Sequence, residues 1–328
     1  MKINNKKIIV TGGAGFIGSN LVSYLLKKEY DVLVVDNFST GKIKNLPKDN
    51  KNLKIIKADI REKEKMTKII KDSDSVIHMA VQCVRKSINN PLFVHEVNAT
   101  GTLNVLEACR INKIKKFIYI SSSEVYGTAK TAPMKETHPL YPTTIYGASK
   151  LAGEYYSLAY LRTYDLPIVI VRPFNTYGYN EHFEGPYGEV IPRFVLRAIN
   201  NLPIQIFGDG KQTRDFTFVT DTTRGIYKVL EKGKIGEIYN LARGEEISIL
   251  EIATLIKKIL RVKVKIEFLP ERPGDVKRHY ADISKAKKEL RFKASVRIEE
   301  GISRYIEWFN KSFPDDKRLL KYYQEINW

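Results

Sequence analysis

Cysteine is scarce in this sequence, since Cys83 and Cys109 are the only two in 328 residues. Two cysteines are too few for a disulfide framework, so we expect a protein of a reducing compartment. No apolar run reaches the ~18 residues that a membrane span needs. The basic opening of the chain leads into a short apolar run that is typical of a first β-strand, without the cleavage site of a signal peptide. The sequence therefore predicts a cytoplasmic protein without a membrane segment.

Acidic residues are also in deficit: 37 Asp and Glu stand against 55 Lys and Arg, which gives a formal net charge of +18. The 38 lysines are spread along the chain and outnumber the 17 arginines. Surfaces that bind nucleic acid tend to use clustered arginine, so this distribution disfavours nucleic acid and favours an anionic small molecule as partner. The five histidines lack the spacing of a metal site, and we expect no metal.

Short β-branched runs alternate with amphipathic helical stretches through the first half of the chain. Near-continuous apolar strands, such as the one at 168–172, are typical of a parallel sheet that is buried on both faces. The sequence thus predicts an α/β fold with a doubly wound parallel (Rossmann) sheet. The expected strands are 7–11, 32–35, 53–57, 75–78, 117–121 and 168–172, and the expected helices are 16–28, 92–112 and 145–164.

The amino-acid composition changes after the last of these strands. Residues 173–188 are rich in Gly, Pro, Tyr and Asn and indicate a long loop, and a smaller C-terminal α/β domain is expected beyond it. We place a Rossmann domain at 1–175, joined by a returning segment near 214–242, and the smaller domain at 176–328. The later helices are expected at 249–260, 283–290 and 298–310, and the apolar tail is expected to dock as a short helix.

Glycines at 12, 15 and 18 follow the first strand and open a helix. Such glycines allow a tight turn and the close approach of a pyrophosphate, which then lies on the helix N-terminus. Chance alone gives this glycine spacing only about 0.07 times in a chain of this composition. We therefore expect a dinucleotide to contact Gly12, Gly15, Phe16, Ile17 and Gly18.

An aspartate ends the second strand, 18 residues beyond Gly18. A carboxylate at this place accepts hydrogen bonds from the adenosine ribose and repels a 2′-phosphate, so Asp36 favours NAD over NADP. Asp59 and Ile60, after the third strand, are weaker candidates for the adenine end.

Tyr146 and Lys150 lie one helical turn apart. A lysine ammonium near a phenol favours the phenolate, which makes the tyrosine a base near neutral pH. The spacing alone carries little information, because Tyr24 and Lys28 share it. The context favours the later pair: Ser122 lies at the end of a strand 24 residues before Tyr146, and ligands bind at the carboxyl ends of strands in doubly wound sheets. Tyr24 is expected to pack.

With these motifs the chain resembles the extended short-chain dehydrogenase/reductases, in the nucleotide-sugar epimerase and dehydratase family. The resemblance covers nearly the whole chain and implies a tightly bound NAD that is regenerated in each turnover. The matching motifs are TGGAGFIG at 11–18, HMA at 78–80, NATGTLNVLEA at 98–108, SSSEVYG at 121–127, YGASK at 146–150, RPFNTYG at 172–178, FGDGKQTRDF at 207–216 and RPGDV at 272–276.

The resemblance also implies roles for single residues. Tyr146 would be the base, Lys150 would bind the nicotinamide ribose and tune the base, and Ser122 would bind the sugar O4. A homodimer formed through the helices at 92–112 and 145–164 is implied as well. The remaining implied contacts are Asn37 and Asn98 for NAD, Asn175 for the sugar, Arg214 and Arg272 for the nucleotide diphosphate, and Asp275 for the nucleotide ribose.

The family members share a first step, in which the base takes the O4 proton and the C4 hydride passes to NAD. A 4-epimerase returns the hydride to the opposite face of the sugar, a 4,6-dehydratase eliminates across C5 and C6, and a uronate decarboxylase loses CO2. Glu124 resembles the C5 base of dehydratases and decarboxylases, with Ser123 as a weak acid beside it. A structural acceptor role for Glu124 is the alternative.

The segments 36–42 and 272–286 resemble those of 4-epimerases instead. We therefore favour an NAD-dependent 4-epimerase of a UDP-hexose over a nucleotide-sugar 4,6-dehydratase and a UDP-glucuronate decarboxylase. A regulator that senses NAD(P) without catalysis is disfavoured, because such proteins typically lose the tyrosine–lysine pair or the glycine pattern.

Overall fold

The computed structural model describes residues 6–314 and 316–328. A seven-stranded sheet forms its centre, and three two-stranded sheets lie outside it. The strands are β1 (Lys7–Thr11), β2 (Asp31–Asp36), β3 (Leu53–Lys57), β4 (Ser75–His78), β5 (Lys116–Ile120), β6 (Ile168–Pro173), β7 (Thr176–Tyr177), β8 (Ile204–Phe207), β9 (Thr213–Arg214), β10 (Thr217–Phe218), β11 (Ile238–Leu241), β12 (Ile247–Ser248) and β13 (Ile266–Leu269).

The helices alternate with the strands as the sequence pattern predicts. Short 3-10 turns at Ile43–Asn45, Ser123–Val125, Gly185–Tyr187 and Asp316–Tyr322 complete the described chain. The helices are α1 (Phe16–Lys27), α2 (Lys63–Ile70), α3 (Val84–Asn89), α4 (Pro91–His95), α5 (Gly101–Ile111), α6 (Ile145–Tyr164), α7 (Val190–Ile199), α8 (Val219–Lys232), α9 (Ile249–Leu260), α10 (Ser284–Leu290) and α11 (Ile298–Ser312).

The central sheet has the order β11-β6-β5-β4-β1-β2-β3, and all of its strands are parallel. The order reverses between β1 and β4, which is the switch point of a doubly wound sheet. The predicted Rossmann fold is confirmed. All six predicted strands are present, with ends that differ by at most one residue.

Alternate side chains of each central strand enter different cores. Val10 and Val34 pack with α1, α8 and α10, whereas Ile9 and Leu33 pack with α2, α5 and α6. Because successive side chains of a strand point to opposite faces, the sheet is covered by helices on both sides. This double burial explains why its strands are almost wholly apolar.

One predicted helix is divided. The stretch expected at 92–112 consists of α4, a π-helical turn at Glu96–Thr100, and α5. At Gly101, where α5 begins, a β-carbon would lie 2.6 Å from Cδ1 of Ile60. The helix therefore approaches the segment after β3 more closely than a larger residue would allow.

A separate core lies outside the central sheet and is built from other elements of the second half of the chain. It is formed by α7, α9, α11 and β8, and Leu319, Leu320 and Tyr323 of the tail pack against it. The returning segment places β11 beside β6 in the central sheet. The domain boundary near 175 stays a prediction. Over residues 6–314 and 316–328, no helix combines the length and apolarity that crossing a bilayer requires.

Candidate active site

A cavity of about 310 Å³ opens at the carboxyl edge of the central sheet. Its walls come from the segments that follow β1, β2, β3, β4, β5 and β6 and from the start of α6. Asn175, which is predicted to contact the sugar, also lines it. The cavity brings together nearly all of the predicted cofactor and catalytic residues: Gly12, Gly15, Phe16, Ile17, Gly18, Asp36, Asn37, Asp59, Ile60, Ser122, Ser123, Glu124, Tyr146 and Lys150.

The glycine loop lies at one end of this cavity, and neighbouring backbone atoms pack closer to its glycines than a side chain would allow. Gly12 has a φ of +69°, and a β-carbon on it would lie 2.7 Å from the backbone nitrogen of Ala80. On Gly18 a β-carbon would lie 2.2 Å from the carbonyl oxygen of Gly12. Helix α1 begins at Phe16 without a side-chain cap, so its first N–H groups are available to an anion. The loop therefore fits the pyrophosphate of a dinucleotide.

Asp36 stands beside this loop and is 7% exposed. Its carboxylate accepts hydrogen bonds from the backbone N–H groups of Ala14 (2.9 Å) and Phe38 (2.8 Å). Burial raises the pKa of Asp36, and these two hydrogen bonds act in the opposite direction. A carboxylate has about four acceptor positions, so two remain for ribose hydroxyls.

Asp59 and Asn37 form the neighbouring wall, where Asn37 Nδ2 donates to Asp59 Oδ2 at 2.9 Å. A hydrogen bond from Arg61 is the main reason that the pKa of Asp59 is lowered to about 2. Asp59 is therefore ionised at neutral pH and holds the Asn37 side chain at the cavity.

Asn98 does not line the cavity. Its Oδ1 accepts from the backbone N–H of Gln82 (2.8 Å), and its Nδ2 donates to Gln82 O and Ser149 Oγ (both 3.1 Å). The structure thus places Asn98 one layer behind Gln82, which does line the cavity. Direct contact of the Asn98 side chain with NAD stays a prediction, and the geometry favours a supporting position.

The catalytic residues come together because the first turn of α6 packs closely against the turn that follows β5. Thr144 caps α6 by accepting from the N–H of Gly147 at 3.1 Å. A β-carbon on Gly147 would lie 2.7 Å from the carbonyl oxygen of Glu124, so the helix end and the turn are in contact. This packing places Tyr146 and Ser122 in the same cavity, with the Ser122 side chain near enough to act on the pKa of the phenol.

The electrostatics of the tyrosine–lysine pair differ from the prediction. Burial raises the pKa of Tyr146, and its hydrogen bond with Ser122 offsets this only in part. Burial also lowers the pKa of Lys150 to about 7, against an opposing effect of Glu154. Its Nζ lies 4.3 Å from the centre of the Tyr119 ring. Desolvation is therefore the dominant effect on both groups, since it raises the pKa of the phenol and lowers that of the lysine.

Glu124 faces the same cavity, and the structure describes no hydrogen bond to its carboxylate from any residue in 6–314 or 316–328. Burial raises its pKa, while Arg214 acts to lower it. Ser123, beside it, contacts His279 Nδ1 at 3.4 Å, and His279 Nε2 lies 3.0 Å from the carbonyl oxygen of Gly127. Burial lowers the pKa of His279 to about 3, so this histidine is neutral at physiological pH.

A second cavity of about 130 Å³ adjoins the first, and Glu124, Asn175, Val84 and Glu189 line both. Four arginines line this second cavity, which makes it suited to an anion. They are Arg85, Arg193, Arg214 and Arg272.

The predicted substrate residues all lie at this second cavity. Arg214 Nη2 donates to Asp275 Oδ1 at 2.7 Å, and Asn175 Oδ1 is buried without a hydrogen-bond partner in the described chain. Sequence reasoning missed Arg85, which pairs with Glu189 and donates to the carbonyl oxygen of Pro186 at 3.1 Å. No local signal distinguishes these two residues from surface charges.

The strand order, the glycine loop and the serine–tyrosine–lysine set define a chain of the extended short-chain dehydrogenase/reductase class. More narrowly, the chain belongs to the family described as GDP-mannose 4,6 dehydratase, whose model matches residues 9–305. Members of this family are NAD-dependent enzymes that act on nucleotide sugars.

Similar proteins are named for three different reactions. A Methanocaldococcus jannaschii protein with the provisional name UDP-glucose 4-epimerase is 39% identical over 308 residues, which are 93% of this chain and 99% of that protein. UDP-glucuronic acid decarboxylase 1 of Arabidopsis thaliana is 34% identical, over 95% of this chain and 72% of that protein. The dTDP-glucose 4,6-dehydratase of Streptomyces venezuelae, solved with NAD bound, has a TM-score of 0.90 at 30% identity, over 94% and 98% of the two chains. The predicted cofactor agrees with the NAD in that structure.

Proposed function

We propose that this protein is an NAD-dependent nucleotide-sugar 4-epimerase that acts on a UDP-hexose through a 4-keto sugar. The observation that carries the proposal is the position of the catalytic residues. Ser122, Tyr146 and Lys150 lie in the cavity that holds the glycine loop, next to its junction with the arginine-lined cavity. A sugar at that junction would have its diphosphate among the arginines and its ring beside Tyr146.

The residues at the junction have distinct tasks in the proposed reaction. When bound, NAD would supply the acceptor for the C4 hydride and, in its oxidised form, a positive charge in the cavity. Tyr146 takes the O4 proton at its phenolic oxygen and later returns it. Ser122 Oγ accepts from the N–H of Glu124 at 3.2 Å, which leaves its own hydrogen for Tyr146 or the sugar O4. Lys150, with a pKa lowered to about 7, can exchange a proton near neutral pH.

Two observations favour epimerisation over elimination. Elimination of a C6 hydroxyl needs an acid beside the C5 base. The residue beside Glu124 is Ser123, whose hydroxyl contacts the neutral His279, so no strong acid stands at that place. The similarity to the M. jannaschii protein, the relative of the three with the highest identity, points the same way.

The free carboxylate of Glu124 favours elimination as the second candidate. If Glu124 only stabilised the fold as an acceptor, it would be expected to accept a hydrogen bond, and none is described. The same carboxylate could serve a 4,6-dehydratase or a decarboxylase as the C5 base.

Glu124→Gln separates these candidates. We expect 4-epimerisation to stay within about tenfold of the wild-type rate, whereas removal of a C5 base would lower an elimination by about 10²–10⁴-fold. Proton NMR of a UDP-hexose reaction gives both rates from one sample. A collapse of turnover in this variant would contradict the epimerase proposal, provided that NAD remains bound.

A homodimer is proposed from the family resemblance and from the surface of α4, α5 and α6. Leu92, Leu103 and Tyr155 on these helices are 76%, 36% and 58% exposed. We expect Leu103→Asp to convert the dimer to a monomer in light scattering at micromolar concentration. Ile235→Asp, at a position 46% exposed outside these helices, is the matched control and should remain dimeric. A wild-type monomer would contradict the proposal.

A further inference from the structure

Residues 323–328, which we call the tail segment, lie directly behind the arginine-lined cavity. Arg193 lines that cavity, and its guanidinium donates to two backbone carbonyls of the segment, Gln324 O at 2.7 Å and Glu325 O at 2.9 Å. At the far end of the segment, Asn327 Nδ2 donates to the carbonyl oxygen of Gly188 at 2.9 Å. Hydrogen bonds thus hold the segment to Arg193 and to the residue that precedes Glu189, and both Arg193 and Glu189 line the cavity.

A second lining residue is fixed by the same segment. The hydroxyl of Tyr323 donates to Gln205 Oε1 at 2.9 Å, and Gln205 Nε2 donates to Glu325 Oε1 at 2.7 Å. Both ends of the Gln205 amide are therefore occupied, which holds this side chain in one orientation at the cavity.

Trp328, the last residue of the tail segment, contacts two residues that line the cavity. Its ring lies edge-on to Phe207, with centroids 4.6 Å apart and an interplanar angle of 80°. The guanidinium of Arg272 lies 5.3 Å from the centre of the Trp328 ring and 5.5 Å from that of Phe207. Both Phe207 and Arg272 line the cavity. The position of the arginine is therefore set by two aromatic rings.

Arg272 has unused hydrogen-bonding capacity. Its Nε is buried and has no hydrogen-bond partner in the described chain. A buried donor without a partner is costly, and a guanidinium held by rings keeps its N–H fork free for an anion. The arrangement is therefore suited to a bound phosphate group.

We infer that the tail segment is a part of nucleotide recognition, in which Trp328 is a positioning residue that presents Arg272 and Phe207 to a nucleoside diphosphate. The inference depends on the proposed function, since it takes the substrate to be a nucleotide sugar. The fork of Arg272 suits a diphosphate, and Phe207 holds that guanidinium with its ring centre 5.5 Å away. Trp328 itself acts through these two residues.

The test is calorimetric titration of UDP into the enzyme as purified, with its NAD content measured. We expect Trp328→Ala to raise the Kd for UDP about tenfold at unchanged NAD content, because the arginine loses one of its rings. Ile326→Ala, in the same segment at a position 62% exposed, is the matched control and should stay within about twofold. In turnover, Trp328→Ala should raise KM and leave kcat unchanged.

Two further variants keep the test decisive if the alanine variant fails to fold. Trp328→Phe retains a ring and should restore UDP affinity, whereas Trp328→Leu retains only bulk and should not. Equal UDP affinity in all variants, or a lower Tm with unchanged Kd, would overturn the inference and leave the proposed function standing. Failure of the wild-type enzyme to bind UDP would instead overturn the proposed substrate class.

Discussion

Tyr146→Phe is expected to lower kcat by about 10³-fold, within the range for loss of a general acid–base group. The phenolic oxygen is the atom that takes and returns the O4 proton in the proposed reaction, and phenylalanine leaves the ring in place without it. Because the glycine loop and Asp36 are unchanged, the variant should retain NAD. Turnover by NMR and NAD release on denaturation measure the two quantities.

A tyrosine on the same helix provides the control for this variant. Tyr155 lies nine residues further along α6 and lines neither cavity, and Tyr155→Phe keeps its ring at the proposed dimer surface, so this variant should leave kcat unchanged. Retention of more than about a tenth of wild-type activity in Tyr146→Phe would be incompatible with Tyr146 as the base.

Arg172→Met is expected to lower the free energy of unfolding by about 3–5 kcal/mol, because it leaves a buried carboxylate without its cation. Arg172 and Glu154 are 1% and 2% exposed and form two hydrogen bonds of 2.8 and 2.6 Å. The same guanidinium donates to Tyr126 Oη at 2.8 Å and to Glu136 O at 2.9 Å. Urea unfolding followed by circular dichroism measures the loss.

The matched control is a pair of the same chemistry at the surface. Arg110 and Glu107 form hydrogen bonds of 2.8 and 2.7 Å, but their side chains are 38% and 22% exposed. Solvent screens such a pair, so Arg110→Met should move the urea midpoint little. Similar losses in the two variants would show that burial does not set the strength of the Arg172 contact.

Local patterns in the sequence were enough to predict the sheet and the cofactor end of the site. The apolar strands and the glycine loop depend on neighbouring residues, and both lie where the pattern puts them. The rule that ligands bind at strand ends selects Tyr146 and Lys150, the pair that the structure places in the cavity. The Tyr24 ring packs against the Tyr227 ring at 5.3 Å, and Lys28 Nζ lies 5.9 Å from the centre of the Tyr24 ring. Tyr24 lines neither of the two cavities described above.

The remainder of the site depends on contacts between residues far apart in sequence. Arg85 and Glu189 form a pair across 104 positions, and Trp328 reaches Phe207 across 121. Nothing local marks such residues as parts of one cavity. The pKa of Tyr146 was also beyond sequence reasoning, because the sign of its shift depends on how deeply the phenol is buried.

The central claim is 4-epimerisation, and a proton NMR time course tests it most directly. The purified enzyme is mixed, without added NAD, with UDP-glucose, UDP-GlcNAc, UDP-glucuronate or GDP-mannose in separate samples. The account predicts a new anomeric signal from a UDP-hexose whose C6 protons are intact. A new methyl doublet, vinylic protons at C6, or loss of the C6 carboxylate from UDP-glucuronate would contradict it and assign Glu124 to chemistry at C5.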